Sequence, residues 1–154
     1  MVRVNILLIM LSLTFSSSGS SADFRHCSLD ENVVFSCAVG EKIASICASK
    51  DAAIDKGYVQ YRFGFLENTE FTYPENKEPA NINFSIKYQL ASNYIIFKKN
   101  LLTYKIISPN HNAGVRFIEV SNSEKLISTL SCSSSPIVSD KDELLAWGFQ
   151  EISN

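Results

Sequence analysis

Histidine, tryptophan and glycine are scarce in this sequence, and their scarcity removes several chemistries at once. Its 154 residues include two histidines, His26 and His111, one tryptophan, Trp147, and six glycines. A serine triad needs a histidine beside an activated serine, and no G-x-S-x-G elbow is present to supply one. The glycines form neither G-x-G-x-x-G nor a P-loop, so no phosphate cradle is expected. Charge is nearly balanced, with 14 basic against 16 acidic residues. No basic stripe tracks a phosphate backbone, which argues against nucleic acid as a partner. Asp51 and Asp55 lack the glycine and the bidentate glutamate that a calcium loop needs. Acids are spread over loops with no pair at a glycosidase spacing. No cofactor is expected, and the chain is not expected to be an enzyme.

Long apolar runs are also missing. The longest, Ile6 to Leu13, follows Arg3 and precedes small residues ending at Ala22. It is well short of the roughly 20 residues of a membrane-spanning helix. Residues 1–22 instead have the form of a secretory signal peptide, with Ser20 and Ala22 at the −3 and −1 positions of the cleavage site. The residues before Cys27, "FRH", do not suit lipoprotein processing. The mature chain is expected to be one β-rich domain, residues 23–154, in the periplasm or secreted, with no membrane span.

What the sequence has is cysteine and aromatic strands. Cys27, Cys37, Cys47 and Cys132 all lie in the exported part, where an oxidising compartment pairs thiols. None sits in a short C-x₂₋₄-C knuckle, so no metal site is expected. "VVFSCAV" and "KIASICA" flank a turn at Gly40 and Glu41 as a hairpin. Pairing about that turn sets Cys37 near Ile43 and Cys47 near Val33, which keeps Cys37 and Cys47 apart. Two connectivities remain: Cys27 with Cys47 and Cys37 with Cys132, which is preferred, or Cys27 with Cys37 and Cys47 with Cys132.

Further along, "ASKDAAIDKG" (48–57) suits one helical turn, with Ser49 as N-cap and Gly57 as stop. "YVQYRFGF" and "TEFTYPE" read as strands ended by Pro74. "INFSIKYQLA" alternates, with Ile82, Phe84, Ile86, Tyr88 and Leu90 on one face. "NYIIFKKN" with "LLTYKIIS" makes a hairpin about Lys99 and Asn100, and "AGVRFIEV" with "KLISTLSC" one about "SNSE". Near the C-terminus, Ser139 and Asp142 have capping-box spacing, and Leu144, Leu145 and Trp147 precede Gly148 in a short helix. About eight short antiparallel strands with one short C-terminal helix and two disulfides imply an all-β barrel or sandwich.

Eleven of the seventeen aromatic residues lie between Tyr58 and Tyr104, including every tyrosine. In "YVQYRFGF", Val59, Tyr61, Phe63 and Phe65 share the face expected in the core. Tyr58, Gln60 and Arg62 share the other face, either as cross-strand structure or as an exposed binding stripe. Asn83-Phe84-Ser85 is a glycosylation sequon, relevant only in a eukaryotic secretory pathway.

The stretch "SICASKDAAIDKGYVQYRFG" and the later "GVRFIEVSNSEKLISTLSC" resemble a group of small exported proteins, mostly proteobacterial. These carry close variants of "LCxSxD…GYLQYRFG" and of a late "G-V-x-V…I-x-x-L-x-C". The resemblance covers roughly residues 33–132 and implies export, a bacterial envelope setting and disulfide roles for Cys47 and Cys132, as a bond between those two would suit. It implies no catalytic residue. The expected function is binding a protein or a cell-wall glycan. One form is an inhibitor or immunity-type protein acting on a cell-wall hydrolase; the alternatives are a glycan or peptidoglycan binding module and a hydrolase of unknown type.

Overall fold

The structure, a computed structural model, describes residues 25–110, 115–133 and 137–153. The expected signal peptide and His111 lie outside these residues. Among the described residues, eleven strands form two sheets packed face to face, a sandwich rather than a closed barrel. The first sheet holds β1 (Glu31–Val39), β2 (Lys42–Ser49), β3 (Val59–Phe65), β4 (Asn68–Tyr73) and β10 (Ile137–Val138), in the order β10-β1-β2-β3-β4. The second holds β5 (Phe84–Tyr88), β6 (Ser92–Lys99), β7 (Leu102–Pro109), β8 (Phe117–Asn122), β9 (Lys125–Ser131) and β11 (Gln150–Glu151), in the order β11-β5-β6-β7-β8-β9. Sequential hairpins explain most of this order, because antiparallel neighbours need only two-residue turns. At Ser123 and Glu124 both central residues have positive φ, as a hairpin turn matching strand twist requires.

The core lies between the sheets. Phe35, Cys37, Ile46, Val59 and Tyr61 face Phe84, Ile86, Ile95, Phe97, Ile106 and Ile118 across it. Aromatic rings join the layers: Tyr61 lies 4.9 Å from Phe97, and Phe97 stacks on Tyr104 at 4.7 Å. Period-2 alternation in both sheets delivers these side chains to one side.

Both disulfides match the preferred one of the two connectivities that the hairpin register leaves open, Cys27–Cys47 and Cys37–Cys132. Val33 pairs with Cys47 and Cys37 with Ala44, so the two hairpin cysteines point to opposite sides of the sheet. The Cys47–Cys132 bond suggested by the resemblance does not form. Cys47 faces away from the core, whereas Cys37 is the one turned inward toward Cys132.

Four local expectations are corrected. Phe65, expected in the core, is 41% exposed, because β3 and β4 shift register between Phe63 and Gly64 and break the alternation. Residues 50–57 form turns and no helix: the Ser49 hydroxyl that would cap one accepts the Tyr58 N–H at 3.0 Å instead. Gly57 has φ +67° there, and a Cβ on it would run into Ala52 Cα at 2.7 Å. Ile82 sits in a four-residue helix, α1 (Ala80–Asn83), and is 65% exposed, while Leu90 lies in a turn and is 97% exposed. Only Phe84, Ile86 and Tyr88 of that segment share the inner face. The C-terminal helix, α2 (Lys141–Ala146), is capped by Asp140, which accepts from Glu143 N, rather than by Ser139, whose hydroxyl bonds Val33 O. Of its apolar cluster, Leu144 is buried and Leu145 is exposed.

Candidate functional site

Tyr58, Gln60 and Arg62 come together, with Gln60 buried and Tyr58 and Arg62 half-buried. Register places Arg62 beside Ser45 of β2 and Gln60 beside Cys47, on the face of the first sheet that points away from the core. Residues 25–30 are fastened over this face by the Cys27–Cys47 bond and by His26 N donating to Ser45 Oγ at 3.0 Å. Of the two readings of this face, cross-strand structure or exposed stripe, the contacts fit the first: the three side chains belong to one hydrogen-bonded network. Gln60 is buried, and its amide donates to Pro74 O at 3.0 Å.

The centre of this network is Glu31, the first residue of β1. Arg62 grips it with two parallel bonds, Nη1 to Oε2 at 2.8 Å and Nη2 to Oε1 at 2.7 Å. The Tyr58 hydroxyl donates to Oε1 at 2.7 Å, and Ser28 donates to Oε2 from its backbone at 2.8 Å and its hydroxyl at 2.9 Å. Arg62 also donates to His26 O at 2.9 Å and Gln60 Oε1 at 3.0 Å. The Glu31 side chain is 2% exposed and that of Arg62 16%. Burial alone would push the Glu31 carboxyl up. Hydrogen bonds from Arg62, the Ser28 backbone and Tyr58 outweigh it and bring the carboxyl down to about 2.

A carboxylate held ionised at every ordinary pH is a poor proton carrier. Its chemistry here is structural: it ties β1, β3 and the N-terminal segment at one point. Tyr58→Phe is accordingly expected to lose about 1.5–3 kcal/mol, as loss of a hydrogen bond to a charged group does. Urea denaturation measures this, and a variant as stable as the parent would contradict it. Sequence reasoning had no local signal for Glu31, which lies 31 residues from Arg62.

The outer face of the second sheet differs. Register lines up Lys87, Tyr94, Ile107 and Phe117 in one cross-strand row. The next row runs Ser85, Ile96, Lys105, Glu119 and Thr129. Lys98 and Thr103 begin a third. Elsewhere, partly exposed rings carry lysines: Lys42 over Phe63 and Phe65, Lys77 over Tyr58, Lys99 over Phe71 and Lys141 over Tyr88. Tyr94 and Phe117 have no such cap and no stacked ring among the described residues. Lys42, Lys56, Lys99 and Lys141 sit in ion pairs. Lys87, Lys98 and Lys105 form none among the described residues. This face thus combines two half-buried rings on either side of the buried Ile107 with three lysines outside ion pairs, one of them opposite the carboxylate of Glu119.

Among the described residues, no three His, Cys, Asp or Glu side chains are placed to hold a metal ion. No helix among them is long and apolar enough to cross a membrane. Compared with known proteins, the chain matches no family model, no curated protein and no solved structure.

Proposed function

We propose that this chain is an exported envelope protein that binds an anionic cell-wall glycan on the outer face of its second sheet. The observation that carries this is one face of the second sheet: among the described residues Tyr94 and Phe117 carry no lysine and Lys87, Lys98 and Lys105 make no ion pair, whereas Lys42, Lys77, Lys99 and Lys141 lie over rings elsewhere. An aromatic ring offers a flat apolar surface to the C–H face of a sugar. The lysines beside it meet the carboxylates of peptidoglycan stem peptides. Export is supported by the form of residues 1–22, by two disulfides and by the likeness of residues 45–64 and 114–132 to exported proteobacterial proteins. A flat sheet face suits an extended polymer better than the cleft of a hydrolase, which places the inhibitor role second.

The test is co-sedimentation with purified peptidoglycan sacculi. The protein is expected to pellet with them and to be released by salt, because exposed charges are screened. Tyr94→Ala with Phe117→Ala, and separately Lys105→Glu, are expected to weaken pelleting at least tenfold while melting stays close to the parent's. Equal pelleting by both variants, or a hydrolase captured and inhibited in place of sacculi binding, would overturn the proposal.

A further inference from the structure

A recess opens at one end of the sandwich, between the last residues of β5, the start of β6, the end of β7 and the first turn of α2. Its volume is about 220 Å³. Tyr88, Asn93 and Ser108 form its polar wall and stand in a single cross-strand row, since Tyr88 pairs with Asn93 and Asn93 with Ser108. Their alternation follows that of Ile86, Ile95 and Ile106, so the three point inward between the sheets. Ile95, Val138 and Leu144 supply the apolar side.

None of the three polar side chains has a hydrogen-bond partner among the described residues. The charges at the rim, in contrast, are already engaged. Asp140 accepts from Glu143 N at 2.9 Å, and Lys141 reaches Glu151 at 2.8 Å with its ammonium 4.8 Å from the centre of the Tyr88 ring. The rim is braced as well, because Asn110 donates to Gln89 O and Leu90 O at 2.7 and 3.0 Å, tying the β5–β6 turn to the end of β7. Burial, then the charges of Glu151, Asp140 and Asp142, push the Tyr88 phenol up to about 12, so its hydroxyl stays a donor at any ordinary pH.

We infer that this recess binds one neutral sugar ring, whose hydroxyl edge meets Tyr88, Asn93 and Ser108 and whose C–H face lies against Ile95, Val138 and Leu144. The volume is that of about seven water molecules at roughly 30 Å³ each. A single pyranose fits that space, whereas drug-sized ligands take about 300 Å³ or more. A charged ligand is disfavoured because Asp140 and Lys141 offset one another and each already has a partner. A wholly apolar ligand would leave three polar groups dry, which is costly. The site adjoins the glycan-binding face, because Tyr94 also lines the recess, but the variants that test it, at Tyr88, Asn93 and Ser108, leave Tyr94 and Phe117 in place, so each can fail without the other.

The experiment is a titration of the folded chain with N-acetylglucosamine and with glucose, followed through the ring resonances of Tyr88 by NMR. Saturable shifts at millimolar sugar are expected for at least one of them. Asn93→Ala with Ser108→Ala is expected to weaken that binding at least tenfold with an unchanged melting temperature, and Tyr88→Phe to weaken it severalfold. No saturable shift with either sugar, or undiminished binding by the folded double variant, would overturn the inference.

Discussion

Arg62→Ala is expected to destabilise the protein by about 3–5 kcal/mol, the range found when one partner of a buried ion pair is removed. The substitution leaves the Glu31 carboxylate 2% exposed and without its two guanidinium bonds. It also strips His26 O and Gln60 Oε1 of a donor, loosening the N-terminal segment. Replacing both charges, as Glu31→Leu with Arg62→Leu, is expected to cost less than Arg62→Ala, because no lone charge stays buried. Acid should report the same network. The folded-state value of Glu31 is depressed to about 2 from 4.5. Its stabilisation is therefore complete above about pH 4.5 and lost as pH falls toward 2, on the order of 3 kcal/mol in all. Arg62→Ala removes the cause of that depression, so the gap between variant and parent should narrow on acidification. Urea melts at pH 7 and pH 3 measure both effects. A variant within about 1 kcal/mol of the parent at pH 7 would show that the ion pair does not hold the fold.

The second large effect concerns the disulfides, which are expected to differ in weight. Cys37–Cys132 closes a span of 95 residues and Cys27–Cys47 one of 20. Loop-closure entropy then gives about 4–5 kcal/mol for the former and roughly 3 for the latter. Position adds to the difference. Cys37 stands in the core of the first sheet and Cys132 just beyond β9 of the second, so this bond fastens layer to layer. Cys27–Cys47 fastens only the short segment that leads into β1. Paired alanine replacements, Cys37→Ala with Cys132→Ala and Cys27→Ala with Cys47→Ala, compared by thermal melts, should show the larger loss in the first. The reverse order would mean that the N-terminal fastening, together with the Glu31 network, dominates stability.

Where structure was legible in the sequence, the signal was local. Turn residues at Gly40–Glu41 and within "SNSE" set hairpins whose period-2 patterns then sorted core from surface. That register also kept Cys37 and Cys47 apart. The misread segments are those where a distant partner decided the outcome. Ser49 looked like a helix cap until the start of β3 supplied Tyr58 N–H as its donor. Alternation alone puts Asn83 in a strand, but its side chain bonds Tyr73 and Glu78, and the chain turns there instead. Tyr58, Gln60 and Arg62 were rightly grouped by alternation. Their joining into one network depends on Glu31 and on residues 25–30, which no pattern within "GYVQYRFG" announces. Tyr94, Ile107 and Phe117 lie in three separate strands, and they become neighbours only once the pairing of β6, β7 and β8 is known.

The two disulfides interlace along the chain, first cysteine with third and second with fourth. A polypeptide that emerges N-terminus first exposes Cys27, Cys37 and Cys47 together, long before Cys132. Cys37 thus waits as a lone thiol beside two reactive neighbours while most of the second sheet is still to arrive. Oxidation in order of appearance joins Cys27 to Cys37, and thiol exchange must undo that bond before the native pairs can form. Chains oxidised in that order are therefore expected to need thiol exchange as well as oxidation to reach the native pairs.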